Sequence, residues 1–142
     1  MAVLRRLAPI AFAIATTAAA SAAFAQEGAD GVQIELNRAD QRDDACQLVF
    51  VARNDGAAGL DQLALEMVLF DRDGGVAKLT LLDFQALPAG RTRVRSFDMQ
   101  GLDCASLGRV LVNATATCEP QDAPGCTDMT LESRLDEIEV LQ

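Results

Sequence analysis

The chain has 142 residues, half of them hydrophobic, with 21 acidic against 12 basic side chains and a formal net charge of −9. That balance argues against nucleic acid and anionic membrane surfaces as partners, because both repel an acidic protein. Histidine, tryptophan and tyrosine are absent. Without histidine the chain lacks the usual general base, the Ser-His and Cys-His nucleophile pairs and the commonest metal ligand.

Residues 1–25 read as a cleavable secretory signal. Arg5 and Arg6 form a basic start, an apolar run extends from Leu7 to Ala20, and Ala23-Phe24-Ala25 precedes Gln26 as an A-x-A cleavage site. The apolar run is shorter and richer in alanine than the ~20 strongly apolar residues of a spanning helix, so no stable membrane anchor is expected after cleavage. No cysteine stands at the cleavage site, which argues against a lipid-anchored form. The arginine pair permits the twin-arginine route beside the Sec route, although Leu7-Ala8-Pro9 continues that motif poorly. Cleavage leaves a single domain, residues 26–142, with ten basic and 21 acidic side chains and a net charge of −11. A domain of that size buries a real core. Its first residues, Gln26 to Gly31, are polar and read as a loose terminus.

After Gly31 apolar side chains recur at every second position, the mark of half-buried strands. The stripes are Val32, Ile34 and Leu36; then Cys46, Leu48, Phe50 and Ala52; then Leu63, Leu65, Met67 and Leu69. A fourth run covers Val76 to Phe84, Thr92 and Val94 alternate with arginines in a fifth, and Val110, Val112, Ala114 and Ala116 mark a sixth. Turn chemistry separates them at Asn54-Asp55-Gly56, at Asp71-Arg72-Asp73-Gly74-Gly75 and at Pro88-Ala89-Gly90. The alternation of the fifth run breaks at Ser96-Phe97, which predicts a bulge. A last strand is expected after Met129, although Leu131, Leu135 and Ile138 also fit a helical face and leave residues 130–140 open between the two. The pattern predicts an all-β, immunoglobulin-like antiparallel sandwich of about seven strands, preceded by the helix of the signal peptide.

All four cysteines (46, 104, 118 and 126) follow the leader and fit an oxidising compartment, for an exported bacterial protein the periplasm. They contain no C-x₂-C pair, which with the lack of histidine disfavours zinc. Topology discriminates among the three possible pairings. If neighbouring strands reverse direction, Cys46 and the link holding Cys104 lie at one end of the sandwich, Cys118 and Cys126 at the other. A strand of about nine residues spans roughly 30 Å, whereas bridged Cα atoms lie about 5.5 Å apart. The expected bridges are therefore Cys46–Cys104 and Cys118–Cys126.

Little in the chain suggests catalysis, and no cofactor or metal is expected. A Ser-Lys dyad would need Lys78, the only lysine, whose place in an alternating strand reads as an outward charge. Asp43-Asp44 reads as a solvated loop, and Asp71-Arg72-Asp73-Gly74 opens like a calcium loop but has Gly75 and Leu82 where ligands belong, so a β-turn is favoured. The mature methionines, Met67, Met99 and Met129, are scattered and read as packing. Arg91, Arg93 and Arg95 stand out. At period two they share one face of one strand, either as a docking stripe for an anionic ligand or acidic partner segment, or as cross-strand partners of carboxylates on adjacent strands.

Several segments carry a resemblance. Cys46-Gln-Leu-Val-Phe-Val-Ala-Arg-Asn, Val68-Leu-Phe-Asp-Arg-Asp-Gly, Leu87-Pro-Ala-Gly-Arg-Thr-Arg-Val, Phe97-Asp-Met-Gln-Gly-Leu-Asp-Cys and Gly108-Arg-Val-Leu-Val-Asn are similar to a group of alphaproteobacterial exported proteins known as "Tat pathway signal sequence domain protein". More loosely, the Leu-Phe-Asp hairpin and the Pro-x-Gly turn resemble FxLYD-type sandwich domains of bacterial envelopes. The resemblance implies a sandwich in the envelope and leans toward twin-arginine export; it implies no catalytic residue and no ligand. The expectation is a non-catalytic periplasmic sandwich that binds another protein or an envelope component, through an exposed sheet edge or the arginine stripe. A small-ligand or metal carrier is the alternative.

Overall fold

The alternating stripes form strands in a computed structural model that describes residues 31–142; the signal peptide expected at 1–25 and the residues up to 30 lie outside the described part. Eight strands follow in order: β1 (Val32–Arg42), β2 (Ala45–Asn54), β3 (Leu60–Asp71), β4 (Val76–Leu87), β5 (Arg91–Gln100), β6 (Leu107–Glu119), β7 (Met129–Ser133) and β8 (Glu139–Leu141). They make two four-stranded sheets, β5-β2-β1-β7 and β4-β3-β6-β8. Neighbours are antiparallel except at one edge of each sheet, where β7 runs parallel to β1 and β8 parallel to β6.

The two sheets pack through the stripes that the sequence marks. Val32, Ile34 and Leu36 of β1, Cys46, Leu48, Phe50 and Ala52 of β2 and Leu63, Leu65, Met67 and Leu69 of β3 are all buried in one cluster. With no tryptophan or tyrosine, three phenylalanines supply the aromatic share. Phe50, Phe84 and Phe97 meet edge to face with ring centroids 5.3–6.0 Å apart, joining β2, β4 and β5. Edge-to-face rings align the positive edge of one with the negative face of another.

Residues 130–140 are neither one strand nor a helix. β7 closes the first sheet, residues 134–138 cross to the second sheet, and β8 closes that one. The apparent helical face is explained by the crossing: Ile138 is buried and Leu135 packs against the core.

The fifth strand also departs from expectation. β5 pairs with β2 without any register shift through Ser96 and Phe97, so no bulge is present. Arg93, Arg95, Phe97 and Met99 share the inner side, while Thr92, Val94, Ser96 and Asp98 are exposed, Val94 at 60%. The reading that put Val94 inward inverted the strand. An edge strand with open space on its inner flank tolerates arginine there, since the aliphatic stems cover apolar surface while the heads reach water. Bulges occur instead in β6, whose register against β3 slips past Gly108, Asn113 and Ala116, and in β4 at Gln85, where φ is +58° and the amide donates to Asp83 Oδ1 at 2.8 Å.

Both expected disulfides are present. Cys46–Cys104, with Cα atoms 4.9 Å apart, ties the start of β2 to the β5–β6 link. Cys118–Cys126, with Cα atoms 5.8 Å apart, closes the loop after β6. At the far end of β2, Asn54 makes a polar counterpart. It is buried at 1% exposure, and its Nδ2 donates to the carbonyls of Ala58 and Leu87, both at 2.9 Å. Its Oδ1 accepts from Gly56 N at 3.0 Å, and its own carbonyl accepts from Gly90 N at 2.8 Å. Gly90 takes a φ of +65° in the turn that leads into β5, a conformation open to glycine.

Candidate functional site

The carboxylates singled out in the sequence serve turns. Asp43 and Asp44 are the two-residue loop between β1 and β2. Asp71 Oδ1 accepts from the amides of Asp73 and Gly75 at 3.0 and 2.7 Å, which spends the side chain on closing the β3–β4 hairpin. Met67 and Met99 are core residues, and Met129 packs against the core.

Lys78 does not point outward as the alternation suggested. It lies on the same side of β4 as Leu82 and Phe84, and its Nζ donates to the carbonyl of Gln100 on β5 at 3.0 Å. A second contact of this kind is Arg95 Nε to the carbonyl of Phe84 at 2.9 Å. β4 and β5 are edge strands of opposite sheets on the same flank of the sandwich, and these two cations stitch the flank together.

The arginine stripe is therefore a feature of that flank. Arg91, Arg93 and Arg95 face Asn54, Ala52 and Phe50 across the β2–β5 ladder, so no carboxylate stands opposite them and the cross-strand pairing expected as the alternative does not form. Among the described residues the ion pairs are Arg38 and Arg42 with Asp40, Arg53 with Asp55, and Arg109 with Glu139. The stripe and Lys78 form no ion pair with a described residue, although acidic groups outnumber basic ones in the chain. Two of the guanidinium groups fold back on the strand's own backbone: Arg93 Nη1 donates to Thr92 O at 3.2 Å and Arg95 Nη1 to Val94 O at 3.3 Å.

A second surface, which the sequence reading missed, covers the outer face of the other sheet. There the register aligns Leu79 of β4, Val68 of β3, Leu111 of β6 and Leu141 of β8 in one cross-strand row. Leu81 and Val76 flank it on the β4 edge, and exposure is 60% for Leu79, 58% for Leu81 and 65% for Val76. The sequence signal was in plain sight: Leu79 and Leu81 alternate with Lys78, Thr80 and Leu82, so β4 carries apolar residues on both faces.

Clefts offer less chemistry. One of about 290 Å³ is lined by Gly31, Gly56, Ala57, Ala58, Pro124 and Gly125, with no side chain able to hydrogen-bond or ionise. Another, of about 460 Å³, lies beside the end of β6 between Thr115, Thr117, Glu119 and Thr127. Among the described residues no group of three or more His, Cys, Asp or Glu converges as metal ligands, and no helix is long and apolar enough to cross a membrane.

Comparison with known proteins adds a fold. No family model matches the chain, and no curated protein does. IrmA from Escherichia coli matches in structure with a TM-score of 0.55 at 13% sequence identity, over 71% of this chain and 90% of IrmA. At that identity the likeness shows a shared β-sandwich. Two disulfides without a free cysteine fit an oxidising compartment such as the bacterial envelope.

Proposed function

We propose that the protein is a non-catalytic binding domain of the bacterial periplasm, delivered by a cleavable signal peptide over residues 1–25 and engaging another envelope protein. The observation that carries this reading is the apolar row Leu79–Val68–Leu111–Leu141 with exposed Leu81 and Val76 on the outer face of a sheet. A soluble domain rarely leaves a contiguous apolar patch in water unless something covers it. Catalysis finds no support in the site geometry, since the carboxylates singled out by sequence hold turns and Lys78 is engaged with a backbone carbonyl. The resemblance to exported "Tat pathway signal sequence domain" proteins supports the envelope address and favours the twin-arginine route.

The test is site-specific photo-cross-linking in the periplasm from positions 79 and 81, with a position on the β1–β2 loop as control. The reading requires one partner that cross-links from 79 and 81 and is lost in Leu79→Lys. Equal, diffuse labelling from all positions would sink it. N-terminal sequencing of the periplasmic protein checks the leader, with Gln26 expected first.

A further inference from the structure

Among the described residues six stretches of strand edge lie open in this sandwich, and five are visibly blunted, one of them β1 beyond β7, which is bulged at Asn37. β7 and β8 have only five and three residues. β6 is bulged at Asn113 and Ala116 beyond the part that β8 covers, and β4 is bulged at Gln85 with its Phe84 carbonyl already taken by Arg95. Short strands and bulges are common protections against unwanted strand addition. β5 is different: ten residues long, in unbroken register with β2, and guarded only by cations.

The direction of its backbone groups follows from the ladder. Gly90 N donates to Asn54 O, on the β5 side of β2, while Asp55 N donates to Gly31 O, on the β1 side. Residues two apart in a strand point their amide and carbonyl the same way. Ala52, Phe50 and Leu48 therefore bond to Arg93, Arg95 and Phe97, and the amides and carbonyls of Thr92, Val94, Ser96 and Asp98 face the free edge. The carbonyls of Thr92 and Val94 are the ones that Arg93 and Arg95 cover, and Lys78 covers that of Gln100.

We propose that β5 is a gated strand-addition edge, selective for an extended acidic segment of a partner protein. In the free protein the guanidinium groups of Arg93 and Arg95 occupy the edge carbonyls through long, weak hydrogen bonds. A strand bearing glutamate or aspartate at alternate positions places its carboxylates on the arginine side of β5, where residues two apart lie roughly 6.8 Å from one another along both strands. Charge-assisted bonds to carboxylates are stronger than bonds to a neutral carbonyl, so the guanidinium groups transfer to the incoming side chains. That transfer frees Thr92 and Val94 carbonyls for the ladder. A neutral strand would leave the guanidinium groups with no new partner, and a basic one would meet like charge; the guard thus doubles as the selectivity device. Charge complementarity fixes the occupant as an acidic segment, because Arg91, Arg93 and Arg95 meet no carboxylate across the β2–β5 ladder. The inference concerns the flank opposite to β7 and β8 and does not depend on the apolar outer face, so either can fail alone.

The experiment uses the disulfide-bonded protein and a short capped peptide of alternating glutamate and threonine, with the glutamine-threonine peptide as control. Binding is followed by fluorescence anisotropy and by amide hydrogen exchange resolved by NMR. The glutamate peptide is expected to bind about tenfold or more tightly than the glutamine peptide and to slow exchange of the Thr92, Val94 and Ser96 amides. Arg93→Gln is expected to reduce the glutamate peptide's affinity about tenfold while leaving the glutamine peptide's affinity unchanged or raised, because the edge loses its guard. If that variant does not fold, Arg91→Gln, whose side chain is exposed and makes no hydrogen bond to a described residue, takes its place with a smaller loss. Equal binding of both peptides by the native protein overturns the proposal. So does glutamate-peptide binding that leaves the three amides unprotected, which would mean simple charge docking.

Discussion

Removing the Asn54 side chain is the sharpest perturbation of this fold. Asn54→Ala deletes three hydrogen bonds at once: two donated to the carbonyls of Ala58 and Leu87, one accepted from Gly56 N. The bond to Leu87 is buried. An unsatisfied buried carbonyl costs about 1–3 kcal/mol, and each partly exposed bond about 0.5–1.5 kcal/mol net. The sum is about 2–6 kcal/mol, a large share of the ~5–15 kcal/mol by which such domains are stable. Because the chain has neither tryptophan nor tyrosine, far-UV circular dichroism is the probe of choice in a urea titration. The midpoint should fall with the slope unchanged, since the same surface is exposed on unfolding. A loss below ~1 kcal/mol would show that Asn54 does not hold the β2–β3 link against the β4–β5 turn, and the account of that end of the sandwich would be wrong.

Other perturbations separate frame from surface. Serine replacement of the Cys46–Cys104 pair should cost up to about 4 kcal/mol, and of the Cys118–Cys126 pair up to about 2.5 kcal/mol, following the lengths of the loops they close; urea titration of each double variant gives the ranking, which must not reverse. Leu65→Ala, at a fully buried position, should cost about 2–5 kcal/mol, whereas Val94→Ala at 60% exposure should stay within about 0.5 kcal/mol. Leu79→Lys and Leu81→Lys should likewise leave stability nearly unchanged, so that any lost partner binding is assignable to the surface.

Periodicity made most of the interior legible. β1, β2 and β3 each bury the stripe that alternation marks, because central strands of a sandwich have one face on the core and no freedom to choose another. The same logic failed at the edges. β5 looked as if Val94 faced inward, since valine is apolar and arginine is not; at the rim of a sandwich the inner side opens to solvent, and arginine stems serve there as well as valine. β4 carries leucines on both faces, and only the register against β3, β6 and β8 reveals that Leu79 starts a row across the sheet. The disulfide pairing survived the incomplete strand count because it depended only on which end of the sandwich each cysteine occupies. Asn54 was legible as a turn residue but not as a buried staple, since its two carbonyl partners come from segments four and 33 residues away.

The export route yields a last test, because the two routes deliver different molecules. A chain threaded through the Sec route arrives unfolded and forms its bridges while it folds; one sent by the twin-arginine route must fold first, in the reducing cytoplasm. If the chain takes the twin-arginine route, as proposed, its domain must hold without its bridges. Its ties at the two ends of β2 are of different kinds, the Cys46–Cys104 bridge at the start and the Asn54 hydrogen bonds at the finish, with the Phe50–Phe84–Phe97 cluster between them. Only the first depends on oxidation. Losing both bridges should cost up to about 6.5 kcal/mol by the loop-closure estimate, which lies within the ~5–15 kcal/mol range of domain stability. The twin-arginine reading requires the variant with all four cysteines changed to serine to remain folded at 25 °C, with native far-UV dichroism and a cooperative but much earlier urea transition. Twin-arginine transport of this variant, scored by its appearance in the periplasm, should then persist. A bridge-free chain without any cooperative transition would defeat that route and leave Sec as the way out.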